Sequence, residues 1–166
     1  MNENNIQKNE KILYVEWVPA GRVVKIVMLS VFLLIFTIGI IFAAFMPKEL
    51  IFIGIIFAIV SLFILLLYWN FRGLRITLTR HQLDVEYGIF NHKKILLEKI
   101  SGCETTKAYF KRYWGIGIRL GSDGSWAYTT DFGEAVKLIF QKGRPFVFST
   151  RNPQKICNLI NELSDR

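Results

Sequence analysis

The residues able to do chemistry are few and scattered. Histidine occurs twice, as His81 and His92. A metal site or a general base would need a second ligand or an acid at short, regular spacing, and neither an HExxH nor a CxxC arrangement occurs. Both histidines fall in segments that read as turns, where an exposed side chain is expected. Cys103 and Cys157 are far apart and lack metal spacing; free buried thiols in a reducing compartment are expected, with a disulfide as the alternative. Gly115, Gly117 and Gly121 superficially suggest a nucleotide loop, but a dinucleotide fingerprint follows a strand and opens a helix. These glycines run into an alternating segment, where glycine serves a bulge or close packing. Asp123, Asp131 and Glu134 cluster without a histidine or nucleophile and read as solvated turn carboxylates. No catalytic residue, metal site or cofactor is expected, and no enzymatic activity.

One segment is richer. Lys107-Ala108-Tyr109-Phe110-Lys111-Arg112-Tyr113-Trp114 puts three cations among four aromatics, with neither strand nor helix alternation. Two readings stand. The rings can lie among lipid headgroups with the cations on anionic phosphates. Alternatively Tyr109, Phe110 and Trp114 enter a core and the cations are merely solvated.

The elements that must position this segment follow from where the charge lies. The 166 residues are 52% hydrophobic yet carry a formal charge of +8, a combination unusual for a soluble domain. Residues 72–166 hold sixteen Lys/Arg against nine Asp/Glu, whereas 26–71 hold only Lys48 and Glu49. No basic run is dense enough for a nucleic-acid footprint, so no nucleic-acid partner is expected. Ile26–Phe45 and Leu50–Tyr68 are uncharged throughout, and each has about the twenty residues that span a bilayer core of ~30 Å. Met46-Pro47-Lys48-Glu49 is so short a link that the two must run antiparallel. A cleaved signal core is shorter and closer to the start of the chain. The chain thus divides into a cytoplasmic N-terminal segment (1–25), a two-helix transmembrane hairpin (26–71) and a cytoplasmic domain (72–166).

Lys8, Lys11, Arg22 and Lys25 precede the hairpin and Arg72, Arg75 and Arg80 follow it. The positive-inside rule places both termini in the cytoplasm, with Tyr14, Trp17, Tyr68 and Trp69 as an interfacial aromatic belt. Gly39 and Ala43, like Gly54 and Ala58, are four apart, a spacing that lets helix backbones approach. They are expected to seal the hairpin, or to form the seam of a homodimer. Neither span carries an ionisable residue, which argues against transport.

From Leu74 onward apolar and polar residues alternate as in half-buried strands. Segments 74–80, 83–87, 94–98, 102–106, 115–120, 125–128, 135–140 and 145–149 read in this way, with Gly121-Ser122-Asp123-Gly124 and Lys142-Gly143 as hairpin turns. Pro153 opens a closing helix whose Ile156, Leu159, Ile160 and Leu163 share one face. About seven antiparallel strands in a partial barrel, closed by that helix, are expected.

The strand succession, Trp114-Gly115-Ile116-Gly117-Ile118-Arg119, Gly124-Ser125-Trp126-Ala127-Tyr128 and the ending Arg144–Pro153 together resemble bacterial pleckstrin-homology-like domains. Some of those follow two transmembrane helices. The resemblance covers roughly residues 74–164 and implies a binding or assembly module. The basic first loop of inositide-binding relatives is here only Arg80-His81-Gln82, and the closing helix lacks their tryptophan, so inositide specificity does not carry over. The expected protein is a membrane-tethered, non-enzymatic module of the bacterial inner membrane. Its partners are the lipid bilayer and a membrane or cytoplasmic protein met at the cytoplasmic face; the alternative is direct recognition of anionic headgroups by residues 107–114.

Overall fold

The computed structural model of the chain describes residues 11–45, 48 and 50–164. Lys8 and most of the Met46-Pro47-Lys48-Glu49 link lie outside the described residues. Strand β1, Tyr14–Pro19, comes first, before helices α1, Arg22–Phe45, and α2, Leu50–Asn70. At a rise of about 1.5 Å per residue the helices are roughly 36 and 32 Å long. Both are long and apolar enough to cross a membrane, and no part of their apolar windows is buried inside the protein. A core helix of a soluble domain would bury one face; these bury none. The hydroxyls of Ser30 and Thr37 donate to the carbonyls of Ile26 and Leu33 at 2.9 and 2.8 Å, so both hydroxyl groups of α1 are satisfied within the helix.

Eight more strands follow among the described residues: β2, Gly73–Leu78; β3, Gln82–Tyr87; β4, Asn91–Leu96; β5, Ile100–Ala108; β6, Gly117–Leu120; β7, Trp126–Thr129; β8, Gly133–Phe140; and β9, Phe146–Ser149. A single helical turn, α3, Phe110–Tyr113, separates β5 from β6, and α4, Pro153–Ser164, closes the chain. The strands form two sheets, ordered β1-β2-β3-β4 and β5-β8-β9-β7-β6. The expected count of about seven strands is therefore low. All pairings are antiparallel except β7 with β9, where Trp126 stands opposite Phe146.

β1 pairs with β2, Tyr14 opposite Leu78 and Pro19 opposite Gly73. The two long helices are thus inserted between neighbouring strands, and the segment expected to stand apart as residues 1–25 supplies an edge strand. Its pattern concealed it: Glu16 and Val18 face inward while Val15 and Trp17 are exposed. His92 corrects a second expectation. It lies in β4 opposite Glu86, with Nδ1 3.5 Å from the carboxylate; the turn before it is Gly88–Phe90.

One core joins the two sheets. Leu74, Ile76, Leu78, Leu83, Val85 and Tyr87 meet Val136, Leu138, Phe146 and Phe148, with Ile156 and Ile160 of α4 packed over them. Leu159 and Leu163 complete the apolar face of α4 as expected. Cys103 on β5 and Cys157 on α4 are joined in a disulfide, their Cα atoms 5.2 Å apart. This corrects the expectation of free buried thiols, because spacing in sequence does not reveal that α4 lies over β5.

Candidate functional site

The connections at one end of the β-rich unit gather around the feet of α1 and α2. The Ala20 N–H donates to the Arg72 carbonyl at 2.7 Å, and the Gly21 N–H to the Thr130 carbonyl at 2.8 Å. Asn70 Oδ1 accepts from the Ile89 N–H at 2.8 Å. Each helix is thereby fastened to a loop of a different sheet. Glycine is required at both junctions. A methyl group on Gly21 would strike the Asp131 carboxylate, and one on Gly88, whose φ is +71°, would strike the Asn70 carbonyl.

Segment 107–114 starts at this same end and runs toward the β6–β7 turn, where Arg112 and Tyr113 meet Ser122 and Ser125. Ala108 pairs with Gly133, and the Phe110 ring meets Phe132 edge-on with centroids 5.9 Å apart. The following residues, Ile116–Arg119, line a cleft of about 490 Å³ with Val24, Met28, Leu67, Tyr68 and Phe71 of the helix feet. Tyr109, Phe110 and Trp114 are 56%, 57% and 74% exposed, whereas Tyr113 is 1% exposed. Two expectations are corrected at once. The three rings assigned to a core are outside it, and Tyr113, grouped with the interfacial rings, is the one buried. The single turn of α3 explains the division. Tyr113 points inward with its hydroxyl 3.2 Å from Ser125 Oγ. Trp114 then adopts the left-handed conformation, φ 53°, which is uncommon without glycine and turns the next ring outward.

The cations divide as well. Lys107 and Lys111 are exposed, while Arg112 is half-buried and its carbonyl accepts from the Ser122 N–H at 3.0 Å. Burial pushes the Asp123 carboxyl up. Hydrogen bonds from the Ser125 hydroxyl and N–H, with Arg112 and Lys137 nearby, outweigh that and hold it below its ordinary value. Arg112 is therefore partly engaged with the protein itself.

More aromatics ring the helix feet. The Arg72 guanidinium lies 4.7 Å from the Trp69 ring centroid and 5.8 Å from that of Trp17, and both indoles are exposed. Tyr14, expected beside them, is at the far end of β1, about 10 Å from Trp17 at ~3.3 Å per residue, and donates to Glu16. Ile89 and Phe90 join the ring instead; Phe90 is 80% exposed. The signal for them was two large apolar residues placed in a turn directly after Gly88.

Between the helices, a methyl group on Gly39 would lie 3.2 Å from the Phe57 ring, so the backbone of α1 approaches α2 there. Gly54 faces open space. Gly39, Ala43 and Gly54 line a shared groove of about 310 Å³; Ala58 does not. No protein-family model, curated protein or solved structure matches the chain.

Proposed function

We propose that the chain is a non-enzymatic, membrane-tethered binding module of the bacterial inner membrane, seated with its helix-proximal loops on anionic lipid headgroups. The observation that carries this reading is the exposure of Tyr109, Phe110 and Trp114 beside Lys107 and Lys111, in a segment whose two flanks, Ala108 opposite Gly133 and Ile116 in the cleft with Val24 and Tyr68, lie where α1 and α2 leave the sheets. Large exposed rings are costly in water and favourable at a bilayer interface, where cations beside them meet phosphate. Both termini are cytoplasmic in this reading, since the flanks of the hairpin carry its cations. A pleckstrin-homology-like architecture is supported by two sheets around one core with a closing helix; the parallel β7–β9 pair departs from a simple meander. The test uses the full chain in nanodiscs. Amide exchange over residues 107–116 is expected to slow when phosphatidylcholine is supplemented with phosphatidylglycerol, and to return in a Lys107→Gln, Lys111→Gln variant. Identical exchange in both lipids overturns the proposal.

A protein partner is supported at a different place. β6 ends its sheet, and the cross-strand pair Leu120 and Trp126 is exposed beside that open edge. A strand added there would gain main-chain hydrogen bonds and cover both side chains. Crosslinking in cells that survives the lysine replacements but is lost in Leu120→Lys supports this second surface.

A further inference from the structure

A second cleft at the helix feet has a different character. It holds about 450 Å³ between the first turn of α1, the β7–β8 connection and the end of β9. Arg22, Lys25 and Arg151 bring three cations to its walls; Asp131 and Glu134 bring two carboxylates. Among the described residues no ion pair within 4.0 Å joins any of the five. Opposite charges around one cleft ordinarily pair with each other, and here they are held apart by the elements that carry them. Asp131 is partly committed, since its Oδ1 accepts from the Phe132 N–H at 2.8 Å and its carboxylate lies against Gly21. Glu134 is exposed and stands opposite Lys107 across the β5–β8 pairing. Thr130, fully buried in the same wall, has a side-chain oxygen without a hydrogen-bond partner.

The position of the cleft narrows the ligand. Arg22 and Lys25 lie within four residues of Ile26, where the uncharged run begins. At about 1.5 Å of helix rise per residue they stand within ~6 Å of the hydrocarbon edge, the depth of phospholipid headgroups. A surface of cations alone would suit any anionic lipid. A cleft that also presents carboxylates matches a headgroup bearing both a phosphate and a protonated amine.

We infer that this cleft is a binding site for a zwitterionic aminophospholipid, with the phosphate on Arg22, Lys25 and Arg151 and the ammonium on Glu134. The inference rests on the domain being seated at the bilayer; its residues differ from those of the anionic-lipid surface, which it adjoins where Lys107 stands opposite Glu134. A primary ammonium gives Glu134 charge-assisted hydrogen bonds that a quaternary choline does not.

Native mass spectrometry of the delipidated full chain, titrated with phosphatidylethanolamine, phosphatidylcholine or phosphatidylglycerol, tests it. Phosphatidylethanolamine is expected to bind about tenfold more tightly than either of the others, the worth of one charge-assisted hydrogen bond. Glu134→Gln should erase that preference while keeping phosphate-dependent binding; Arg151→Gln should weaken all three lipids together. Glycerophosphoethanolamine as a free headgroup should compete only weakly, because the acyl chains hold the lipid at the helix. Equal affinities for the three lipids in the unaltered chain overturn the inference, as does a preference that survives Glu134→Gln. Repeating the titration with Lys111→Gln, which leaves Lys107 opposite Glu134 in place, separates the two surfaces, since that variant weakens the anionic-lipid surface and should still prefer phosphatidylethanolamine.

Discussion

Glu16 accepts a 2.6 Å hydrogen bond from the hydroxyl of Thr150, a residue 134 positions away. The same carboxylate accepts from the Arg151 N–H at 2.8 Å and from the Tyr14 hydroxyl at 3.0 Å. A strand that precedes both long helices is thus latched to the junction between β9 and α4, and the latch is buried. Removing it leaves buried donors without acceptors, so Glu16→Ala is expected to destabilise the detergent-solubilised protein by about 2–3 kcal/mol. Val15→Ala, on the exposed face of the same strand, should cost much less. Thermal unfolding of the two variants compares them directly; equal losses would show that β1 contributes only through its sheet pairing.

Tyr87 is the buried phenol that joins the two sheets, its ring 5.6 Å from Phe71 and 6.1 Å from Tyr128. Burial pushes its hydroxyl up to about 12 from an ordinary value of 10.0. The folded state therefore holds the proton more tightly than the unfolded chain does. That stability is fully present below pH 10 and is lost as pH rises through the folded value, on the order of 2 kcal/mol. Tyr87→Phe should flatten the stability profile between pH 10 and pH 12. A profile as steep in the variant as in the parent would assign the alkaline loss to other groups.

The disulfide between Cys103 and Cys157 closes a loop across 54 positions, which a chain-entropy estimate values at about 4 kcal/mol. The proposed topology puts the same domain on the reducing side of the membrane, where such a pair is held as thiols. The disulfide and the proposed topology together give one measurement. With that topology, maleimide added in denaturant is expected to label both cysteines of freshly isolated membranes, and neither after mild oxidation closes the bond, which should also raise the melting temperature. Sulfurs already blocked before oxidation would place the domain, and both termini, outside the reducing compartment.

How far these features could be read in advance follows the range of the forces behind them. The uncharged runs and the alternation of Leu74, Ile76 and Leu78 announce their elements because burial imposes a local period. The apolar face of α4 is visible for the same reason. β1 is not, because its inward position is filled by Glu16, whose partners lie at the other end of the chain. Shorter separations, 54 positions for the disulfide and that of Trp126 from Phe146 for the parallel β7–β9 pair, still exceed any local period and hide both. At the candidate interface, the mixture of rings and cations is evident in residues 107–114. Which ring turns inward is decided by one left-handed residue, Trp114, and by the Ser125 hydroxyl waiting for Tyr113, neither of which has a periodic signature.

The four tryptophans give a depth scale for the whole arrangement. Trp17 and Trp69 flank Arg72 at the helix feet, and Trp114 is exposed two residues before Ile116, which lines the cleft with Val24 and Tyr68. Trp126 begins β7, whose other end, Thr129, adjoins the junction with α1. At about 3.3 Å per residue it stands ~10 Å further from the helices. In single-tryptophan variants reconstituted into vesicles, lipids brominated near the glycerol backbone should quench Trp69 and Trp114 strongly and Trp126 little, while aqueous iodide should give the reverse order. Adding salt should leave Trp69 unchanged, since its depth is set by α2, and should reduce quenching of Trp114, whose approach depends on Lys107 and Lys111. If Trp114 instead behaves like Trp126 in every lipid, the loops do not reach the headgroups, and the exposed rings belong to a surface that meets protein.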